Sequence, residues 1–305
     1  MALSVIIPTK NRLSDLLETT RSLLVQTRPP DELIVVDQSA ASESGIALTR
    51  MLKGSSIPRF VNIWDPSITG LTMARNVGFS ECTGDIVCYL DDDTTPAPDY
   101  LAMVEKGFGE FPKWAGICGR VTESVSPSKA RRLASSLFRF AIFRDNRAGI
   151  GKLFSPTEVR LLPGAAFSFR REVLDQFRFD ERLTGYGLGE DVDFCLRAGT
   201  RFRFGAYLRA EVHHRRSQAE RPDASSLRGM ARLSAKRLWQ SHRRHIGDDL
   251  AYAWLRFGFG AEQLLSQIAY RAQIEGKRTS ELGAATRVLS GTLADREAHS
   301  RLPSL

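Results

Sequence analysis

The chain is short of cysteine and lysine, and it has none of the short signatures that most often mark nucleotide or zinc chemistry. Its four cysteines, Cys82, Cys88, Cys118 and Cys195, form no Cys-x-x-Cys pair. That spacing excludes a zinc ribbon and a disulfide framework, and the apolar context of three of them reads as buried, reduced thiols of a cytoplasmic chain. No Gly-x-x-x-x-Gly-Lys-Ser/Thr occurs, nor a Gly-x-Gly-x-x-Gly after a strand, so P-loop and Rossmann cofactor sites lose their support. The one long apolar segment, Leu250 to Tyr270, is interrupted by Arg256, Glu262 and Gln263, which argues against a bilayer span. Leu3 to Ile7 follows Met1 without a basic lead and is stopped by Pro8, so it reads as a first strand, not a signal peptide. Internal repeats and low-complexity tracts are absent.

What is present is a chain of 305 residues with 42% hydrophobic content, enough for a large core. Its charge of +8 is unevenly spread: residues 201–305 carry 19 Lys and Arg against 10 Asp and Glu, whereas the first 200 are almost neutral. A basic last third suits anionic lipid or anionic glycan. Aromatic residues are not interleaved with it as a stacking platform would require, so nucleic acid is not expected. Arginine outnumbers lysine 35 to 8, which genome composition explains as readily as function.

Apolar runs alternate with helical patterns from the start. Leu3 to Pro8 predicts a strand, Leu13 to Leu24 a helix closed by Pro29-Pro30, and Glu32 to Asp37 a second strand. A helix over about 42–53, a strand Phe60 to Ile63 and a helix carrying Ala74-Arg75-Asn76 follow. Strands apolar on both faces, separated by helices, predict a doubly wound, mostly parallel α/β sheet flanked by helices. In such sheets ligands bind beyond the carboxyl ends of the strands.

The fourth strand, Ile86 to Leu90, runs directly into Asp91-Asp92-Asp93. Three adjacent carboxylates repel one another unless water, a helix N-terminus or a cation neutralises them, and a hard divalent ion does this economically. Capping of the turn before a helix near Pro98 is the bland alternative. Thr9 to Arg12, Asp37 and Arg75 with Asn76 fall at neighbouring strand ends, a set that suits a nucleoside diphosphate. Asp91-x-Asp93-x-Thr95 also fits the aspartate nucleophile of haloacid-dehalogenase-like phosphatases. That competitor is weakened by the three β-α units before Asp91 and by the lack of an equally good lysine and paired-acid match after it.

After a strand over Trp114 to Val121, residues 122–160 are weakly patterned. Leu133, Leu137, Phe138, Phe140 and Phe143 among arginines predict a basic helix packed on the core. Gly164 to Ala166 would let a ligand approach the backbone. Gly185 to Gly189 leads into Glu190-Asp191, which places carboxylates at a helix N-terminus, where free amides hold them. Strand-like Arg203 to Tyr207 and Val212-His213-His214 close the body.

Together these motifs resemble the family 2 glycosyltransferases of GT-A fold, over residues 3 to about 215. The resemblance implies an inverting, metal-assisted transfer from a UDP- or dTDP-linked sugar to a hydroxyl of a glycan or lipid-linked acceptor, as in polysaccharide biosynthesis. It places Pro8, Thr9, Arg12, Asp37, Arg75, Asp91 and Asp92 at the nucleotide sugar and Gly164, Ala165 and Glu190 on the acceptor side. Asp191 aligns with the catalytic base. Asp93 and Asp91, with His213 or His214, would hold Mg²⁺ or Mn²⁺. Loss of such a base would mark an inactive sugar-nucleotide-binding protein; Asp191 is present, which favours catalysis. The organisation expected is a catalytic domain over 1–218, with a nucleotide-sugar half at 1–121 and an acceptor half at 122–218. A basic helical extension over 219–305 follows, either docked on the catalytic domain or resting on the cytoplasmic face of a membrane.

Overall fold

The computed structural model describes residues 1–41, 43–123, 143, 150, 153 and 155–261. Among them nine strands join one mixed sheet in the order β3-β2-β1-β4-β8-β6-β9-β5, with β7 paired to β9. Strands β1 (Leu3–Thr9), β2 (Glu32–Asp37) and β4 (Ile86–Leu90) are buried along their whole length, and β3 (Arg59–Trp64) is the half-exposed edge. These four run parallel, as the sequence leads one to expect. The fold is less purely parallel beyond them. Strand β8 (Ala166–Arg170) lies antiparallel between β4 and β6 (Trp114–Glu123), and β5 (Thr94–Pro96) and β7 (Thr157–Val159) lie antiparallel to β9 (Arg203–His214). The two short strand signals at Arg203 and Val212 are one strand of 12 residues.

Alternation along the buried strands divides the core in two. Ile6, Ile34 and Val36 face one side, with Ala74 and Phe79 of α3 (Leu71–Glu81) and Phe194 of α6 (Glu190–Ala198). Val5, Ile7, Leu33 and Val35 face the other, against Leu16 and Leu23 of α1 (Leu13–Leu24), Leu48 of α2 (Glu43–Leu52) and Val104 of α4 (Tyr100–Glu110). Each Val, Leu, Ile or Phe among them contributes about 1.5–3 kcal/mol on burial. The short α5 (Arg171–Gln176) follows β8, and α7 (Ala224–His242) is capped by Asp223, whose carboxylate accepts the Ser226 amide at 2.7 Å. Residues 246–261 are again helical.

The chain forms two compact units, Met1–Tyr252 and Ala253–Leu305, so α7 belongs to the same unit as the sheet. Among the described residues no helix is long and apolar enough to cross a membrane. The basic helix expected over Leu133, Leu137, Phe138 and Phe140 and the tail from 276 lie outside the described residues, as does the later part of the Leu250–Tyr270 segment.

Strand order reverses between β1 and β4, since the chain adds β2 and β3 on one side of β1 and then crosses to the other. The carboxyl ends of β1, β2 and β4 therefore open one crevice holding Thr9, Asp37 and Asp91. The far wall is set by the β6–β9 pairing, whose register shifts between Cys118 and Arg120. Gly119 sits in that irregularity with no room for a side chain: a Cβ would lie 1.8 Å from the Ala210 carbonyl oxygen. Gly119→Ala must push β9 away and is expected to cost about 3 kcal/mol as overpacking. A fall in Tm on the order of 6–12 °C in a thermal melt would record it; an unchanged Tm would show that the two strands can part there freely.

Candidate active site

The three aspartates at the end of β4 have three different sets of partners. Asp91 is the partly open one, with 27% of its side chain exposed; its Oδ1 lies 3.2 Å from Arg75 Nη2, and its amide donates to the Ala165 carbonyl at 3.1 Å. Asp92 points back under β1, where Thr9 Oγ1 donates to Oδ2 at 2.7 Å and Arg12 Nη1 to Oδ1 at 3.1 Å. Asp93 accepts from the Ser217 amide at 3.0 Å and lies 3.0 Å from His214 Nε2. Burial pushes the Asp92 carboxyl up to about 7 despite Arg12. At Asp93 burial also works against the charge, but the His214 hydrogen bond prevails and holds it below the usual carboxylate range.

One ligand atom each from Asp91, Asp93 and His214 lies within 4.8 Å of the others. Two carboxylates and an imidazole form a donor set that fits Mn²⁺ well and Mg²⁺ through its oxygens. Of the two histidines, the geometry brings His214 to the aspartates. His213 points to the other face of β9, where its Nδ1 is 3.1 Å from Thr122 Oγ1.

Asp191 stands at the start of α6, after the left-handed Gly189 with φ of 92°. Its Oδ2 accepts the Gly164 amide at 3.1 Å and its Oδ1 the Val192 amide at 2.8 Å, so backbone donors fix the carboxylate. Glu190 turns inward, where its Oε1 accepts from Arg75 Nη1, and burial raises its carboxyl to about 7. Arg75 is 1% exposed. Its Nη2 also donates to the Gly164 carbonyl at 2.9 Å, and its guanidinium carbon lies 4.9 Å from the Phe167 ring centre and 5.3 Å from that of Phe179.

The residues expected at the site have the following surroundings. Arg75 is enclosed by aromatic rings, and its two Nη atoms are engaged by Asp91, Glu190 and Gly164. Asp92 anchors Thr9 and Arg12. Glu190 is directed to Arg75, and of the two alternatives His213 and His214 it is His214 that meets Asp93. Pro8, Thr9 and Asp37 do stand at adjacent strand ends, Pro8 opposite Val36 and Thr9 opposite Asp37. Asp37 accepts from the Ser39 amide at 2.8 Å and from Ser44 Oγ. Gly164 and Ala165 form the backbone bridge between Asp91 and Asp191.

Sequence reasoning did not foresee the contacts that frame the site. Arg215 donates from Nη1 to the Thr94 carbonyl at 2.8 Å and from Nη2 to the Asp92 carbonyl at 3.1 Å, locking the turn that carries the aspartates. Thr19 of α1 donates at 2.7 Å to that same Thr94 carbonyl. Asn76 pairs both ways with the backbone of Phe179, at 2.9 Å each way, and so ties α3 to the segment before α6. Asp193 binds His242 of α7 at 2.8 Å and Arg197 at 2.7 Å. Only the Asp193–Arg197 pair has a sequence signal, its i,i+4 spacing.

With this geometry in place, comparison with known proteins identifies the group. The family model for glycosyl transferase family 2 matches residues 4–178. The chain belongs to that family. Family membership removes the phosphatase reading of Asp91. A relative, the pre-mycofactocin glycosyltransferase of Mycobacterium tuberculosis, is 28% identical over 218 residues, covering 70% of this chain and 43% of its own length. The chain spans less than half the length of the curated relatives it matches first, at 48% and 43%. Among solved structures, S. aureus TarS 1-349 in complex with UDP-GlcNAc aligns with a TM-score of 0.56 at 17% identity, covering 84% of this chain and 71% of that one. Mannosyltransferase PcManGT from Pyrobaculum calidifontis, in complex with GDP-Man and Mn²⁺, aligns with a TM-score of 0.58 at 15% identity, covering 90% and 80%. The fold of this family member is GT-A.

Docking of α7 on the α6 turn generates a test. Burial works against ionisation of Asp193, but His242 and Arg197 outweigh it and hold its carboxyl below the ordinary value of 3.8. A depressed folded value means stability present above that ordinary value and lost as pH falls through the folded one. Asp193→Asn, which leaves the paired cations without their anion, is expected to cost about 3 kcal/mol at pH 7. The gap in Tm between the two proteins should close as pH drops below 3.8. A gap independent of pH would show that the carboxylate charge is irrelevant to the docking.

Proposed function

We propose that the chain is a metal-assisted, inverting glycosyltransferase that moves a sugar from a UDP- or dTDP-linked donor to a hydroxyl of a glycan or lipid-linked acceptor. The observation that carries this reading is the pairing of two unlike acidic centres at one crevice. Asp91, Asp93 and His214 converge at the end of β4, and Asp191 is held by amides at the start of α6. Complexes of GT-A proteins of like fold with UDP-GlcNAc and with GDP-Man and Mn²⁺ support a nucleotide-sugar donor and a divalent ion.

Asp91, Asp93 and His214 are the residues that would hold Mg²⁺ or Mn²⁺, which when bound supplies positive charge against the departing diphosphate. The protein's own groups do the rest. Pro8 and Thr9 at the end of β1 and Asp37 at the end of β2 border the place for the base and ribose. Arg12, which reaches Asp92 and lies 3.9 Å from Asp93, adds cationic charge on the diphosphate side. Asp191 accepts the proton of the attacking hydroxyl; its two amide donors keep the carboxylate oriented, and such a base contributes ~10²–10⁴-fold to rate. Because the base and the cation site act at opposite ends of the reacting bond, each can be removed without the other.

The acceptor reading rests on charge. Helix α7 carries Arg228, Arg232, Lys236 and Arg237 and no acidic residue, which suits an anionic acceptor or the anionic cytoplasmic face of a membrane.

Titration calorimetry with UDP-, dTDP- and GDP-sugars, with and without Mn²⁺, tests the donor. Selective binding strengthened by the metal is expected; no binding of any donor under either condition would overturn the reading. Asp93→Ala should weaken donor binding chiefly when Mn²⁺ is present. Asp191→Asn should retain metal-dependent donor binding while transfer falls ~10²–10⁴-fold. Unimpaired transfer would remove Asp191 from the role of base.

A further inference from the structure

Arg75 is a single buried cation that faces two carboxylates belonging to the two halves of the site. Its Nη2 contacts Asp91 at 3.2 Å, on the side of the cation cluster, and its Nη1 is bonded to Glu190, the residue before Asp191. The rings of Phe167 and Phe179 close over the guanidinium and exclude water, so its charge is compensated by these acids and not by solvent. Gly164 makes the link continuous, since its carbonyl accepts from Arg75 at 2.9 Å and its amide donates to Asp191 at 3.1 Å. A Cβ at Gly164 would stand 2.8 Å from Glu190 Oε1, so the fit leaves no slack.

We infer that Arg75 and Glu190 are positioning residues that couple occupancy of the Asp91, Asp93 and His214 site to the placement of Asp191. The inference rests on the metal-assisted reading above and adds a mechanism to it. One cation shared by two acids cannot satisfy both fully, so whatever draws Asp91 away from Arg75 strengthens the hold on Glu190. A divalent ion at Asp91 does this, and the firmer Arg75–Glu190 pair then fixes the first turn of α6. The link is reciprocal, as thermodynamic coupling requires. With Glu190 neutral, Arg75 must lean on Asp91 alone and competes with the metal for it. Glu190 thus influences a metal site in which it is not a ligand.

The test is Mn²⁺ binding to the full chain, followed by the electron paramagnetic resonance signal of free Mn²⁺ and with no substrate present. Glu190→Gln should lower Mn²⁺ affinity about tenfold, within the usual range of site-to-site coupling. Glu190→Asp, which keeps the charge on a shorter arm, should recover part of that loss, and it serves alone if the glutamine variant does not fold. A control is Arg59→Gln, which breaks the half-buried pair with Glu32 at the opposite end of β2 and should leave Mn²⁺ affinity unchanged. Glu190 variants that bind Mn²⁺ as tightly as wild type would overturn the coupling and leave the metal site standing. An equal loss in Arg59→Gln would also overturn it, by showing that general destabilisation suffices. Failure of the wild-type chain to bind Mn²⁺ at all would overturn the metal reading, and the coupling with it.

Discussion

Three consecutive carboxylates at the end of a fully buried strand would force one another apart, and the molecule is arranged around preventing that. Each aspartate is given a different cation from a different element: Arg75 of α3 to Asp91, Arg12 at the entry to α1 to Asp92, and His214 of β9 to Asp93. The three partners are not equivalent, and the differences determine the chemistry. Asp92 receives Thr9 as well and is sealed in, so it is structural. Asp91 and Asp93 keep exposure or an exchangeable imidazole partner, which leaves their oxygens available to a metal. A run of identical residues is thus sorted by its neighbours into one anchor and two candidate ligands.

That sorting depends on how α1 and β9 are held against the turn after β4. Arg215 and Thr19 converge on the carbonyls of Asp92 and Thr94, backbone acceptors that need donors where they are buried. Satisfying them with side chains from distant elements fixes the carboxylates more firmly than the turn's own geometry could. The irregular pairing of β6 with β9 has the same consequence at longer range. It sets which residues of β9 reach the turn, and therefore that His214 meets Asp93.

How much of this the sequence carries follows from the range of each interaction. The β-α units and the placing of Asp91 to Asp93 at a strand end are written in local apolar runs, and the structure matches them. Alternation along a strand also says that only one of His213 and His214 can face the aspartates. Which one it is depends on the shift between Cys118 and Arg120, about ninety residues away in the chain, and no local pattern encodes that phase. The role of Arg75 is hidden for the same reason. An arginine near the start of a helix reads as a phosphate ligand until its partner Glu190, 115 positions later, is seen to occupy it. The antiparallel β8 escaped too, since a strand buried on both faces looks the same in either direction.

The first turn of α6 repeats the device used at β4, and α7 takes part in it. Glu190, Asp191 and Asp193 crowd one helix N-terminus, where the dipole and free amides favour negative charge but cannot balance three acids alone. Again each acid has its own partner: Arg75 for Glu190, the Gly164 amide for Asp191, and Arg197 with His242 for Asp193. The last of these comes from α7, so a division at residue 218 would leave Asp193 short of a partner and loosen the turn that carries Asp191. Among the described residues the two acidic clusters share one cation, the guanidinium of Arg75, and one backbone bridge, Gly164-Ala165. On the proposed coupling, a charge change on one side reaches the other through that side chain and that bridge.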